Sequence, residues 1–416
     1  MQAEIIAVGT ELTSGQSLDT NSQWLSQRLT ALGLHVAQHC VIPDDLHANV
    51  TLFQAAGTRS DLVIVTGGLG PTQDDLTREA LAKAAGVDLE YHESLFEAIR
   101  ATFARRQRPM PERNRVQAYL PAGAEAIPNA IGTAPGIWMS LARAWVAALP
   151  GVPGEMKPMF EEFVVPRLRD LGLTAGATVV RAIHTFGMGE SQVESQLLDL
   201  TVRGRKPEVG ITASDAVITL RIVSRAPTAA EAQAQVLETE SLIRQRLGSL
   251  IYGVDGEQLE DVVIRQLIEL RQTIVTAESV TAGLVSRLLG RVPGASAALL
   301  GGVVAYANEV KENVLGVPES LIREHGAVSA PVVEAMAAGA RRLMGSDYAV
   351  ATSGIAGPTG ATATKPIGLV FLGLAGPDGV TSTHVNWFGS RDEIQMRSAK
   401  SALNMLRLRL ESRTQR

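Results

Sequence analysis

The sequence predicts an α/β protein: two three-layer domains with mainly parallel sheets, joined by a small α+β middle domain. Three observations predict it. At 416 residues the chain is too long for one ordinary domain of roughly 100–200 residues. Short apolar, β-rich runs alternate with helical patterns at both ends of the chain, the rhythm of helices packed on both faces of a parallel sheet. In the middle that rhythm is broken. The divisions expected are 1–170, 171–255 and 256–416.

Taken in order, Glu4–Val8 reads as a strand. Asn21–Leu32 reads as an amphipathic helix, because Trp24, Leu25, Leu29 and Leu32 recur at helical spacing, and Gly33 is placed to end it. Asp61–Thr66 is the next strand, followed by a glycine-rich turn, the helix Leu76–Ala85 and, later, the strand Trp145–Leu149. Beyond Pro166, Val179–Phe186 and Ala216–Val223 read as strands of a smaller unit, with helices at Glu190–Leu200 and Ala229–Leu247. Ile251–Glu257, carrying Gly253 and Gly256, reads as a linker. A second α/β block follows: helix Leu259–Leu270, strand Gln272–Thr276, helix Thr281–Leu289, strands Tyr348–Thr352 and Gly368–Leu374, and a final helix over Arg391–Leu410.

Composition narrows the function classes. Hydrophobic residues at 45% and charged residues at 19% suit a packed globular protein. A net charge of -5, with no basic, aromatic-rich stretch, argues against direct nucleic-acid binding. The single cysteine, Cys40, rules out an intrachain disulfide and a zinc site built of cysteines; its apolar surroundings suit a core or strand residue better than a catalytic thiol. The start MQAEIIAVGTEL lacks the basic and apolar regions of a signal peptide. The weakly polar run from Ala295 to Ala307 is shorter than the roughly 20 residues of a membrane helix. A soluble cytoplasmic protein is expected.

In the C-terminal block, TIVTAES runs straight into VTAGLVSRLLG, so Ser279 falls where a strand ends and a helix begins. Open α/β sheets place ligands in that crevice. Free N–H groups and the positive end of the helix dipole there suit a phosphate or a nascent oxyanion. A plain N-cap serine is the ordinary alternative. In AYANEVKENVLGV, Asn308 reads as an N-cap, which puts Lys311 in the first helical turn. There the dipole opposes its charge and lowers its pKa, as a general base requires; an exposed lysine without a partner is the plainer reading. Thr352, Ser353 and Gly354 end a strand and offer hydroxyls and N–H groups, unless they form only a turn. Arg391 and Arg397 open the last helix, as phosphate ligands or as surface charges.

In this order, TAESVTAG, GGVVAYANEVKENVLGV, HGAVS, ATSGIAGPTG, KPIGLVF and FGSRD resemble the C-terminal domain of the CinA family, a nicotinamide-nucleotide amidohydrolase. The resemblance covers nearly all of 259–410. It implies Ser279 as nucleophile and Lys311 as its base, with Tyr306, Thr352, Ser353, Gly354 and Arg397 binding the mononucleotide. It implies acyl transfer that releases ammonia and leaves nicotinate mononucleotide, without metal or redox cofactor in this half. Two departures stand out. Many relatives have two glycines where this chain has Ala282–Gly283, and many have arginine at Gln395.

In the N-terminal block the strongest pattern is VTGGLGPTQDDLTREALAKAAG. Gly67, Gly68 and Gly70 allow close backbone approach between a strand and a helix, a place for phosphate. Asp74 and Asp75 follow, as caps at the helix start or as ligands of a divalent cation shared with phosphates. No Gly-Lys-Ser/Thr follows, so this is not a Walker A loop. Glu11, Asp19 and Asn21 come after the first strand, Thr133 and Gly136 lie in NAIGTAPG, and Gly151, Gly154 and Glu155 lie in LPGVPGEM. Together these resemble the CinA N-terminal domain, itself similar to MoaB/MogA molybdopterin-binding proteins. The resemblance implies hydrolysis of the ADP-ribose pyrophosphate with a divalent metal of unspecified identity. Glu11, Asp74 and Asp75 would hold metal or activate water, and Gly67, Gly68, Gly70, Thr133 and Gly136 would contact substrate. Thr13 departs from the usual GTELL. The middle segment contains FGMGES and is expected to act as a spacer or in dimerisation.

The leading expectation is a bifunctional pyridine-nucleotide salvage enzyme, a homodimer acting on nicotinamide mononucleotide and ADP-ribose, with no nucleic-acid or membrane partner. A molybdopterin-pathway protein and a non-enzymatic competence or DNA-repair accessory protein are the alternatives.

Overall fold

The computed structural model describes residues 1–174 and 176–414. Their contacts divide into two compact units, Met1–Val179 with Ser224–Ala234, and Val180–Val223 with Gln235 onward.

In the first unit six strands lie in the order His35–Ile42, Gln2–Val8, Leu62–Thr66, Ala144–Leu149, Gly136–Leu141, Glu125–Ile127. The first four are parallel and the last two antiparallel. The central strands are apolar at successive residues because both faces are covered. Ile5 and Ile64 face Leu25, Leu29 and Phe160, whereas Ile6, Val63 and Val65 face Phe53 and Leu81. The helix Thr20–Ala31 supplies Leu25 and Leu29, and Asp19 caps it by accepting a hydrogen bond from the Ser22 N–H at 2.9 Å. Cys40 sits on the edge strand His35–Ile42 opposite Ile6, half-buried. Burial pushes its thiol pKa up, the reverse of what a nucleophilic thiol needs.

In the second unit five strands run Leu299–Val304, Ile274–Glu278, Tyr348–Gly354, Leu369–Gly376, Gly379–Asn386. The first three are parallel and the rest antiparallel. Leu299–Val304 is a strand that the sequence does not announce: Gly301 and Gly302 dilute its β signal, and as an edge strand it alternates between half-buried and exposed. A separate four-stranded sheet orders Glu208–Ser214, Val217–Ala226, Ala177–Phe186, Ile251–Val254. The stretch expected to be a linker is therefore in part a strand: Ile251 and Val254 pair antiparallel with Thr185 and Ile183. The helix expected over Glu190–Leu200 ends at Ser195, where single turns (Leu197 N–H to Glu194 O, Leu200 N–H to Leu197 O) take over. The last helix extends over Arg391–Thr414.

The α/β expectation with mainly parallel sheets holds in both blocks. Among the described residues no helix is long and apolar enough to cross a membrane.

Candidate active sites

Three parallel strands of the second unit end together, with Glu278 opposite both Val304 and Thr352. The residues that follow them surround a cavity of about 300 Å³ lined by Ser279, Tyr306, Lys311, Ser353, Gly354 and Arg391, among others. Ser279 is half-buried and its N–H is held by the Thr352 carbonyl at 2.9 Å; its hydroxyl hydrogen-bonds none of the described residues. Lys311 is 1% exposed. Its Nζ donates to the carbonyls of Ala305, Tyr306 and Ala307 at 2.9, 3.0 and 3.5 Å. Ser279 and Lys311 thus share one cavity without a direct hydrogen bond.

The cause of the lysine's altered chemistry differs from expectation. The helix is Asn308–Asn313 with Ala307, not Asn308, at its N-cap, and Lys311 lies in its last turn. Burial, opposed in part by Glu309, lowers the Lys311 pKa; the helix dipole is not needed.

The crevice beside Ser279 is also not the open anion site expected. The helix begins at Leu284 rather than Thr281, and its free N–H groups are taken. The buried Glu278 carboxylate accepts from the N–H groups of Gly283, Val285 and Ser286 at 3.0, 2.9 and 2.8 Å. It also accepts from the hydroxyls of Thr281, Ser286 and Thr276 at 2.7, 2.8 and 3.2 Å. An internal carboxylate occupies the place a phosphate would take. Glu278 is a functional residue that the sequence signals only by its place, an acid at the end of a buried strand just before a helix start. The turn it fixes places Ala282 at φ 51 and Gly283 at φ 97. The Val280 N–H, beside Ser279, makes no hydrogen bond with the described residues.

Two expected substrate contacts lie elsewhere. Thr352 is fully buried and its hydroxyl meets that of Thr281 at 2.7 Å. Adjacent strand residues point oppositely, so Ser353, donating to the Ala327 carbonyl at 2.6 Å, lines the cavity and Thr352 does not. Arg397 pairs with Glu393 at 2.9 Å and donates to the Phe388 carbonyl, outside the cavity lining. Arg391 lines it instead, donating to the Gly357 carbonyl at 2.6 Å and the Tyr306 hydroxyl at 2.7 Å. Six helical residues amount to roughly 600° of turn, so the two arginines face different ways. Gln395 donates to the Val280 carbonyl at 2.8 Å and so braces the turn after Ser279.

In the first unit a cleft of about 530 Å³ opens beyond the strands Gln2–Val8, Leu62–Thr66 and Ala144–Leu149. Its lining includes Glu11, Gly67, Gly68, Gly70, Asp74, Asp75, Thr133, Gly151 and Glu155. Gly67 has φ 107, and a Cβ there would stand 2.2 Å from the Val8 carbonyl oxygen, so the loop needs glycine. Asn21 ties the strand ends together, donating to the Thr66 hydroxyl at 3.0 Å and the Gly151 carbonyl at 2.8 Å. Gly136 is no part of the cleft. It lies buried in the strand Gly136–Leu141, where a Cβ would meet the Ala148 carbonyl oxygen at 2.7 Å. Gly154 is likewise outside the lining.

Asp75 caps no helix: the helix is Thr77–Ala85, without a side-chain cap. Its carboxylate accepts from the N–H groups of Gly70 and Thr72, both at 2.8 Å, and from the Thr72 hydroxyl at 2.5 Å. Arg78, buried behind the same loop, donates to the Leu69 carbonyl at 3.0 Å; burial pushes its pKa down to about 10, still cationic at neutral pH. Glu11 and Asp74 are exposed. Glu11, Asp74 and Asp75 line one cleft, yet no three His, Cys, Asp or Glu side chains among the described residues gather as a metal-ligating group. Carboxylate oxygens suit a hard cation, but these side chains by themselves do not close a ligand set.

The chain is similar to known proteins over each of these regions. Residues 256–410 match the family model described as the CinA C-terminal domain. Residues 4–170 match the "Probable molybdopterin binding domain" and 180–253 the "Damage-inducible protein CinA KH domain". A CinA-like protein of Synechococcus sp. (strain CC9311) is 47% identical over 412 residues, 98% of this chain and 97% of that one. A CinA-like protein of Dictyoglomus turgidum is 41% identical over 98% of both chains. Among solved structures, the competence/damage inducible protein CihA from Agrobacterium tumefaciens is 35% identical, with a TM-score of 0.36, over 37% of this chain and 97% of that one.

Proposed function

The chain belongs to the CinA family, and on that premise we propose that its C-terminal pocket hydrolyses the carboxamide of a pyridine mononucleotide such as nicotinamide mononucleotide. The observation that carries the reading is a buried lysine of lowered pKa sharing a small cavity with a serine hydroxyl that no other side chain occupies. The neutral Lys311 amine keeps its bonds to the Ala305 and Tyr306 carbonyls and gives up the 3.5 Å contact to Ala307. Its lone pair then takes the Ser279 proton as Oγ attacks the amide carbon. The Val280 N–H, which bonds none of the described residues, is available to the oxyanion. The C–N bond breaks, Lys311 returns the proton to the leaving ammonia, and water hydrolyses the resulting ester to the nicotinate product. Arg391, with Tyr306, supports the anionic phosphate.

The wild-type chain should release ammonia from nicotinamide mononucleotide, and Ser279→Ala should abolish release while leaving the N-terminal reaction intact. No ammonia from a folded wild type would overturn the reading.

For the N-terminal cleft the proposal is hydrolysis of the ADP-ribose pyrophosphate, supported by the glycine-rich turn and the polar lining. A divalent cation would be held there by Glu11 and Asp74 and completed by ligand phosphate oxygens, supplying charge neutralisation; Asp75 is committed to the loop. The match to a molybdopterin-binding domain favours a second reading, capture of a pterin phosphate. AMP release from ADP-ribose, measured with added Mg²⁺ and with chelator, separates the two. The proposal also takes the protein as a cytoplasmic homodimer, testable by sedimentation and cell fractionation.

A further inference from the structure

The segment FGMGES takes no part in either cleft described above. It forms one wall of a separate cavity of about 520 Å³ within the second unit, a volume suited to a small-molecule ligand. Gly187, Met188 and Ile218 line it together with Trp387, Asn404 and Met405. This cavity shares no lining residue with the Ser279 pocket, and none of its lining side chains is ionisable.

Asn404 carries the polar information. It is only 9% exposed. Its Oδ1 accepts from the Arg407 Nε at 2.9 Å, and the fully buried Arg407 is itself held by the Ser249 carbonyl at 2.6 Å, which fixes the orientation of the amide. The Asn404 Nδ2 then has no acceptor among the described residues. It stands at the cavity wall, where a Cβ on Gly187 would come within 3.9 Å of it. The indole Nε1–H of Trp387, in the same lining, is buried and also lacks an acceptor. Native interiors rarely leave a buried donor such as this indole N–H unmet. Met188 and Met405 add an adaptable apolar surface.

We propose that this cavity binds an uncharged, mainly apolar small molecule whose single hydrogen-bond acceptor, a carbonyl oxygen or its equivalent, takes the Asn404 amide N–H. A charged ligand would find no counter-charge there.

The full-length protein, labelled with ¹³C at the methionine ε-methyls, tests this with acetophenone as probe. Saturable shifts of the Met188 and Met405 methyls are expected, with binding at least about tenfold weaker for ethylbenzene, which lacks the acceptor. Asn404→Asp keeps the oxygen that Arg407 requires but removes the donor, and should weaken acetophenone by a similar factor. No saturable shift up to the solubility limit, or equal affinity for the two probes on the wild type, overturns the proposal; the wild-type comparison decides the matter even should Asn404→Asp fold poorly.

Discussion

The cavity at Ser279 and the cleft at Gly67 occupy equivalent places, each beyond the carboxyl ends of three parallel strands, yet they treat charge oppositely. At Ser279 the ionisable group is hidden: Lys311 is 1% exposed and its pKa falls through burial. At Gly67 the carboxylates of Glu11 and Asp74 stand in solvent. A buried carboxylate staples the turn in the first case (Glu278), and a half-buried one staples the loop in the second (Asp75). The same sheet-end geometry therefore offers a reactive group where the side chain is desolvated and a binding surface where it is not.

Substituting Lys311 breaks this contrast most sharply. Lys311→Met should lower ammonia release from nicotinamide mononucleotide by about 10²–10⁴-fold, the usual worth of a general base, with AMP release from ADP-ribose unchanged. In the wild type kcat/KM should climb with pH as Lys311 loses its proton, and level off below the ordinary lysine value of about 10.4. The sign follows from the lowered folded pKa: between the two values the unfolded chain binds more protons, so stability also rises with pH across that window. A rate flat in pH would break the assignment.

The two staples come next. Glu278→Ala strips three N–H groups and three hydroxyls of a buried charged acceptor. It should cost roughly 3–5 kcal/mol in urea unfolding and abolish ammonia release. Asp75→Ala, at a more exposed loop, should cost about 1–3 kcal/mol and reduce AMP release from ADP-ribose while ammonia release stays. Equal losses at the two sites would erase the distinction between them.

The smallest expected effect is at Ala282, whose φ of 51 is strained for a residue with a Cβ. Ala282→Gly should raise stability by up to about 1 kcal/mol, the relief being partly offset by the greater freedom of glycine when unfolded.

Much of this was legible in the sequence. The alternation of apolar runs and amphipathic helices marks the parallel sheets, and Ser279 and Lys311, 32 positions apart, are drawn together by strand ends that the pattern places side by side. What escaped was direction and depth. Thr352 and Ser353 differ only in which way a strand side chain points. Arg391 and Arg397 differ only in their face of one helix. Glu278 looks like part of a motif, but its work depends on where six donors lie in space. Ile251–Val254 is short and interrupted by Gly253, so its pairing with Ala177–Phe186 has no local signature.

The most direct test is to mix the protein with nicotinamide mononucleotide, quench in acid within one turnover, and map the peptides by mass. The Ser279 peptide should carry an acyl group with the mass of nicotinate mononucleotide less water. An adduct on another residue, or rapid ammonia release from Ser279→Ala, would contradict the account.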